Sequence, residues 1–166
     1  LDGICGFFEA RSPLDISRLP EAPRAKILPF IVRWATWRAG KFSGDTVMAF
    51  YAQVMAMREA TVKATHGFDF VITPTSPIPA FEAEYCCPDN DPERALEHIA
   101  FTVPYNMSEQ PAASINWSYS TQKRTVGLPI GVQVAGRRFD DLGVLQLSRV
   151  IEQIRPVQRP WPVHIG

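Results

Sequence analysis

The stretch SGDTVMAFYAQVMAMREATVKATHGFDFVITP, residues 43–74, decides the fold class. Ser43 or Asp45 supplies an oxygen to cap the first turn of a helix, and Val47, Phe50, Tyr51, Val54, Met57, Arg58 and Thr61 recur at helical spacing to form one face. Gly67 stops that helix near Thr65. The apolar run Phe68, Phe70, Val71 and Ile72, closed by Pro74, then reads as a buried strand entered through a tight turn. A long helix delivering a short strand predicts an α/β domain, with a mixed β-sheet and flanking helices.

Upstream, Pro13, Pro20, Pro23 and Pro29 interrupt any long periodic pattern, which predicts a loop with short helical turns over residues 1–29. Pro29 suits the first turn of a second helix, in which Ile31, Trp34, Ala35 and Arg38 are spaced to share a face before Gly40 ends it. Trp34 and Trp37 read as core packing.

Downstream, Pro77, Pro79, Pro88, Asp89 and Asn90 leave a surface loop over residues 76–91. Asp91 caps, and Pro92 opens, a helix expected to reach about Ala100. Two strands follow, at 112–117 and 128–135, the second alternating Ile130, Val132 and Val134 with Gly131, Gln133 and Ala135. Small residues on one face of it would let a helix or another backbone approach closely. Asp140 or Asp141 caps a last helix to about Ile154, after which Pro156, Pro160 and Pro162 keep the tail extended. The chain reads as one partial domain over residues 1–166.

Composition narrows the functional classes. Of 166 residues, 46% are hydrophobic, enough for a core, and 17 basic side chains balance 17 acidic ones without a run of like charge. That balance offers no footprint for nucleic acid or an anionic membrane, and no apolar run approaches the roughly 20 residues that span a bilayer. Cys5 and the adjacent pair Cys86 and Cys87 form no disulfide framework and no zinc spacing, so the expectation is a reducing, cytoplasmic compartment and neither metal nor cofactor. The first residue is Leu1, with Ile4, Phe7 and Phe8 close behind, as expected of a chain cut from a longer polypeptide.

Recognisable catalytic groups are scarce in the sequence. There is no Gly-x-Ser-x-Gly elbow. Ser120 and Lys123 have the Ser-x-x-Lys spacing, but the polar segment 118–125 lies between two strands and reads better as a turn. His66, His98 and His164 stand apart from any partner ligand, and His66 falls where a helix ends. Asp140 and Asp141 suit helix capping better than acid–base work. Gly127, Gly131 and Gly136 do not form a phosphate-binding fingerprint.

Three segments, in this order, carry a resemblance. They are Asp69-Phe70-Val71-Ile72-Thr73-Pro74-Thr75-Ser76-Pro77, then Phe101-Thr102-Val103-Pro104-Tyr105-Asn106-Met107-Ser108 with Gln110-Pro111-Ala112-Ala113-Ser114-Ile115, then Gly127-Leu128-Pro129-Ile130-Gly131-Val132-Gln133-Val134-Ala135-Gly136. Together they resemble the C-terminal part of the amidase signature family, over about residues 29–153. Two departures mark the subgroup: Glu109 stands where glycine is usual, and Asn116 with Trp117 replaces a frequent Val-Pro pair.

The resemblance implies a hydrolase of amide bonds whose Ser, cis-Ser, Lys triad lies in an N-terminal half, with no catalytic residue in this chain. It further implies that Thr75, Ile99, Phe101 and Asn106 belong to the substrate wall. The partners it implies are a small-molecule amide and the N-terminal part of the same polypeptide. Glutamine-using amidotransferase subunits of the family carry an aspartate three residues before the Thr-Val-Pro step, and here that position is Ile99, which cannot pair with a substrate ammonium. The expectation is therefore an amidase for apolar or aryl amides, with two alternatives: a glutamine-dependent amidotransferase A-type subunit, or a non-catalytic interaction module. Alone, the chain is expected to expose strand edges and apolar area and to self-associate.

Overall fold

The computed structural model describes residues 2–85 and 87–160; Leu1, Cys86, Pro162 and His164 lie outside the described residues. Six α-helices and three strands are present among them: α1 (Asp2–Ser17), α2 (Glu21–Arg24), α3 (Pro29–Thr36), α4 (Gly44–Thr65), β1 (Phe70–Pro74), α5 (Val103–Ser108), β2 (Ala112–Tyr119), β3 (Pro129–Gly136) and α6 (Asp141–Ile154). Helices and sheet coexist as the sequence predicts. The described strands pair antiparallel in the order β1-β3-β2, so no parallel pairing occurs among them.

The decisive stretch folds as read. Ser43 Oγ accepts from Thr46 N at 3.2 Å to start α4, and Val54 is the buried centre of its inner face. Strand β1 begins five residues after α4 ends, but it is not fully buried. It is an edge strand, and Ile72 remains 58% exposed because no described element covers that end of the sheet.

Residues 2–17 correct the expectation of a loop: they form the continuous helix α1, with Pro13 inside it. A proline in a helix forfeits one ladder bond. Tertiary packing overrides that local signal. A Cβ on Gly3 would lie 2.5 Å from the Gln53 side chain, and one on Gly6 would lie 2.4 Å from the Phe50 ring, so the two glycines let α1 press against α4. Ile4, Val54 and Val103 make a buried cluster there, joined by Phe8, Met57, Leu96, Ile99 and Met107.

The helix expected after Asp91 is also corrected. Asp91 Oδ1 does accept from Glu93 N at 3.0 Å, but the segment makes only two 3-10 turns, Pro92–Arg94 and Glu97–Ile99, interrupted at Leu96. At the C-terminal end, Asp140 Oδ1 accepts from Gly143 N at 3.0 Å and starts α6. That helix covers one sheet face through a second cluster of Ile115, Val134 and Ile151, flanked by Phe70, Trp117 and Leu147.

Two glutamines tie the sheet to the helices. Gln133 Nε2 donates to Thr73 Oγ1 at 3.0 Å and to the Phe101 carbonyl at 2.8 Å. Gln110 Nε2 donates to the Gly136 carbonyl at 2.8 Å and to Thr65 Oγ1 at 3.2 Å.

Candidate active-site cleft

On the sheet face away from α6, a cleft of about 780 Å³ opens between the segment after β1 and the turn joining β2 to β3. Its size lies in the range of small-molecule sites. The backbone builds it in register. Thr75 N continues the β1 ladder by donating to the Gly131 carbonyl at 3.0 Å, and Asn116 stands opposite Gly131 on the other side of β3. Between Asn116 and Ser118 the pairing shifts by one residue, a bulge that bends β2 at the cleft wall.

The floor is a pair of hydroxyls. Thr75 Oγ1 and Ser114 Oγ lie 2.7 Å apart, reaching across β3 above Gly131. A Cβ at position 131 would stand 2.6 Å from Thr75 Oγ1 and 2.9 Å from Ser114 Oγ, so glycine is what lets this pair meet. The small-residue face read from β3 is therefore a close approach of side chains from both neighbouring strands. At the other end of β3, a Cβ on Gly136 would lie 2.7 Å from the Val144 side chain of α6.

Ile78, Pro79, Phe81 and Ile130 give the cleft an apolar lip, and Ser118, Thr121 and Gln122 continue its polar wall. Among the described residues, no carboxylate, ammonium, guanidinium or imidazole lines it. Asn116 is fixed from behind. Gln158 Nε2 donates to the Trp117 and Pro156 carbonyls, so Gln158 Oε1 is free to accept from Asn116 Nδ2 at 2.8 Å. Asn116 Oδ1 is left buried without a hydrogen-bond partner among the described residues.

The four wall residues implied by resemblance separate in space. Thr75 is in the cleft. Ile99 packs on the Ile4–Val54–Val103 cluster, and Phe101 is half-buried with its carbonyl bound by Gln133. Asn106 is exposed on α5, where its Nδ2 donates to the Thr102 carbonyl at 3.2 Å. Ser114, Ser118 and Gly131 were not singled out for the wall from sequence. The polar residues at 114, 116 and 118 on β2 are the signal that could have found them.

Ser120 and Lys123 do not form a working pair. Ser120 is 5% exposed, and its Oγ lies 2.7 Å from Thr125 Oγ1 and accepts from Gln122 N, which fastens the turn between β2 and β3. Lys123 is exposed. Asp140 is occupied as the cap of α6. Burial, and to a lesser degree Glu9, pushes the Cys5 thiol above its ordinary value, which suppresses the nucleophilic thiolate.

The departure at Glu109 has a structural account. Glu109 sits in the left-handed region, φ 59°, where α5 ends and glycine is favoured. Its carboxylate accepts from Arg58 Nη2 at 2.8 Å and also pairs with Arg138, which joins α4 to the segment after β3.

Comparison with known proteins agrees with this architecture. The family described as Amidase matches residues 6–145, and the chain belongs to that family. The A subunit of a glutamyl-tRNA(Gln) amidotransferase from Thermodesulfovibrio yellowstonii is 36% identical over 101 residues, 61% of this chain and 20% of the relative. The crystal structure of the glutamyl-tRNA(Gln) amidotransferase A subunit from Thermotoga maritima superposes with a TM-score of 0.55 at 28% identity, covering 87% of this chain and 30% of that one. A crystal structure of an amidase shares the fold, with a TM-score of 0.65 at 23% identity over 87% of this chain and 32% of that one. This chain spans about a fifth of the length of the curated relatives it matches. No helix of the described residues is long and apolar enough to cross a membrane.

Proposed function

We propose that these residues serve an amidase that hydrolyses carbon–nitrogen bonds of uncharged amides in the cytoplasm. The chain supplies sheet scaffold and one wall of the substrate pocket, and the nucleophilic hydroxyl and its amine base come from residues outside this chain. In that chemistry a neutral amine takes the hydroxyl proton as the oxygen attacks the amide carbon, and backbone donors stabilise the oxyanion. The observation that carries the reading is the engagement of the local candidates: Ser120 is bonded to Thr125 and Lys123 faces solvent. The partners in this reading are a small-molecule amide and the N-terminal part of the polypeptide, and the chain by itself self-associates through the exposed apolar residues Phe68, Ile72 and Leu142.

The glutamine-dependent amidotransferase reading is favoured by the name of the Thermodesulfovibrio relative. Against it, Ile99 packs in an apolar cluster and offers no carboxylate to a substrate ammonium. Specificity constants of the complete protein for glutamine and for an uncharged aryl amide decide between the two. The aryl amide is expected to be preferred. Efficient ammonia release from glutamine by the unmodified protein would overturn the argument from Ile99.

A further inference from the structure

The geometry points to the Thr75–Ser114 hydroxyl pair as the group that recognises the carbonyl of an uncharged amide in the cleft, which makes this pair a specificity determinant. The inference rests on the amidase reading and assigns its substrate selectivity to named atoms. Two hydroxyls carry two protons, and their 2.7 Å contact uses one of them. The other proton has no acceptor among the described residues, so it is available to a carbonyl oxygen in the cleft. Because Gly131 has no side chain, the pair stands at the floor and not beneath a methyl group.

The lining sets the charge of the ligand. A carboxylate or amidinium entering between Thr75, Ser114, Ile78, Phe81 and Ile130 would lose hydration and meet no counter-charge among the described residues. A neutral carboxamide carries one strong acceptor for the hydroxyl proton, and an aromatic ring on it would lie against the Ile78, Phe81 and Ile130 lip.

Three isosteric probes test this by NMR titration of the 166-residue chain: benzamide, benzoate and benzamidine. Benzamide should perturb residues around 75, 114 and 131, with both charged probes binding about tenfold weaker or worse. Thr75→Val with Ser114→Ala should weaken benzamide by about tenfold, while Thr75→Ser with Ser114 intact keeps the hydroxyl pair and should retain binding. The same spectra report whether each variant is folded. Equal or tighter binding of a charged probe, full benzamide affinity in the double variant, or benzamide shifts confined to a second groove on α4, lined by Met55, Val62 and His66, would overturn the assignment. Selective benzamide binding combined with a complete protein that leaves aryl amides uncut would keep this inference and remove the amidase reading; aryl amide cleavage without that selectivity would do the reverse.

Discussion

The helical region and the sheet region of this chain reach stability in different ways. In α4, 22 residues long, Val54 alone is buried, and Met48 is 65% and Tyr51 45% exposed. Its hold on α1 depends on backbone approach at Gly3 and Gly6. In β3 the run Gln133–Gly136 is buried throughout, and Val134 is completely enclosed between β1, β2 and α6. The sheet region also forms the cleft. The difference teaches that the part of the chain that makes the candidate site is its better packed part, and that the helical part is tied to it through Gln110, Gln133 and Glu109.

Substitutions at the two cores give the largest effects. Ile4→Ala should cost about 3 kcal/mol, and Val134→Ala about 2 kcal/mol, in chemical denaturation. Ile4→Ala should leave hydrogen-exchange protection of β3 intact, whereas loss of protection across both regions would mean that they unfold as one unit. Gln133→Leu should cost about 1–3 kcal/mol, since the Phe101 carbonyl loses its donor. A loss much smaller than that would show that the tie between regions matters little.

Glu109→Gly sharpens the comparison at its exposed seam. It relieves a left-handed residue, which is worth about 1 kcal/mol, and removes two partly exposed ion pairs, each worth about 0–1 kcal/mol. The net change should be within about 1 kcal/mol and should turn toward stabilisation as salt is raised. A large destabilisation at every salt concentration would make the seam a principal support.

The smallest effect concerns pH. Glu9 is 8% exposed, and its pKa is raised above the ordinary 4.5 by burial, with a weaker contribution from Glu93; Arg38, at 3.1 Å, opposes the rise without cancelling it. A raised carboxyl pKa favours the folded state at low pH. That contribution is fully present below the ordinary value and is lost as pH rises through the folded value. Glu9→Gln should therefore flatten the melting temperature across that window, and an unchanged pH profile would remove Glu9 as its source.

Much of the fold is legible in the sequence where the signal is local. The Ser43 cap, the Asp140 cap and the alternation along β3 each report contacts within a few residues, and each element forms close to where it is expected. Helix α1 is not legible, because Pro13 argues against a helix that only packing on Phe50 and Gln53 explains. The exposure of Ile72 is likewise decided by what neighbours the sheet edge, which no local pattern encodes. Of the four wall residues that resemblance implies, Thr75 alone lines the cleft. Its partner Ser114 is 39 residues away in sequence, and their meeting depends on both strands flanking a glycine.

In the proposed reading this chain shapes an amide site without holding the hydroxyl–amine pair that cleaves the bond. Hydrolysis of an uncharged aryl amide by the purified 166-residue chain, compared with its Ser120→Ala and Lys123→Ala variants, tests it most directly. No turnover above buffer is expected for any of the three. Enzymatic turnover by the unmodified chain that disappears in either variant would contradict it.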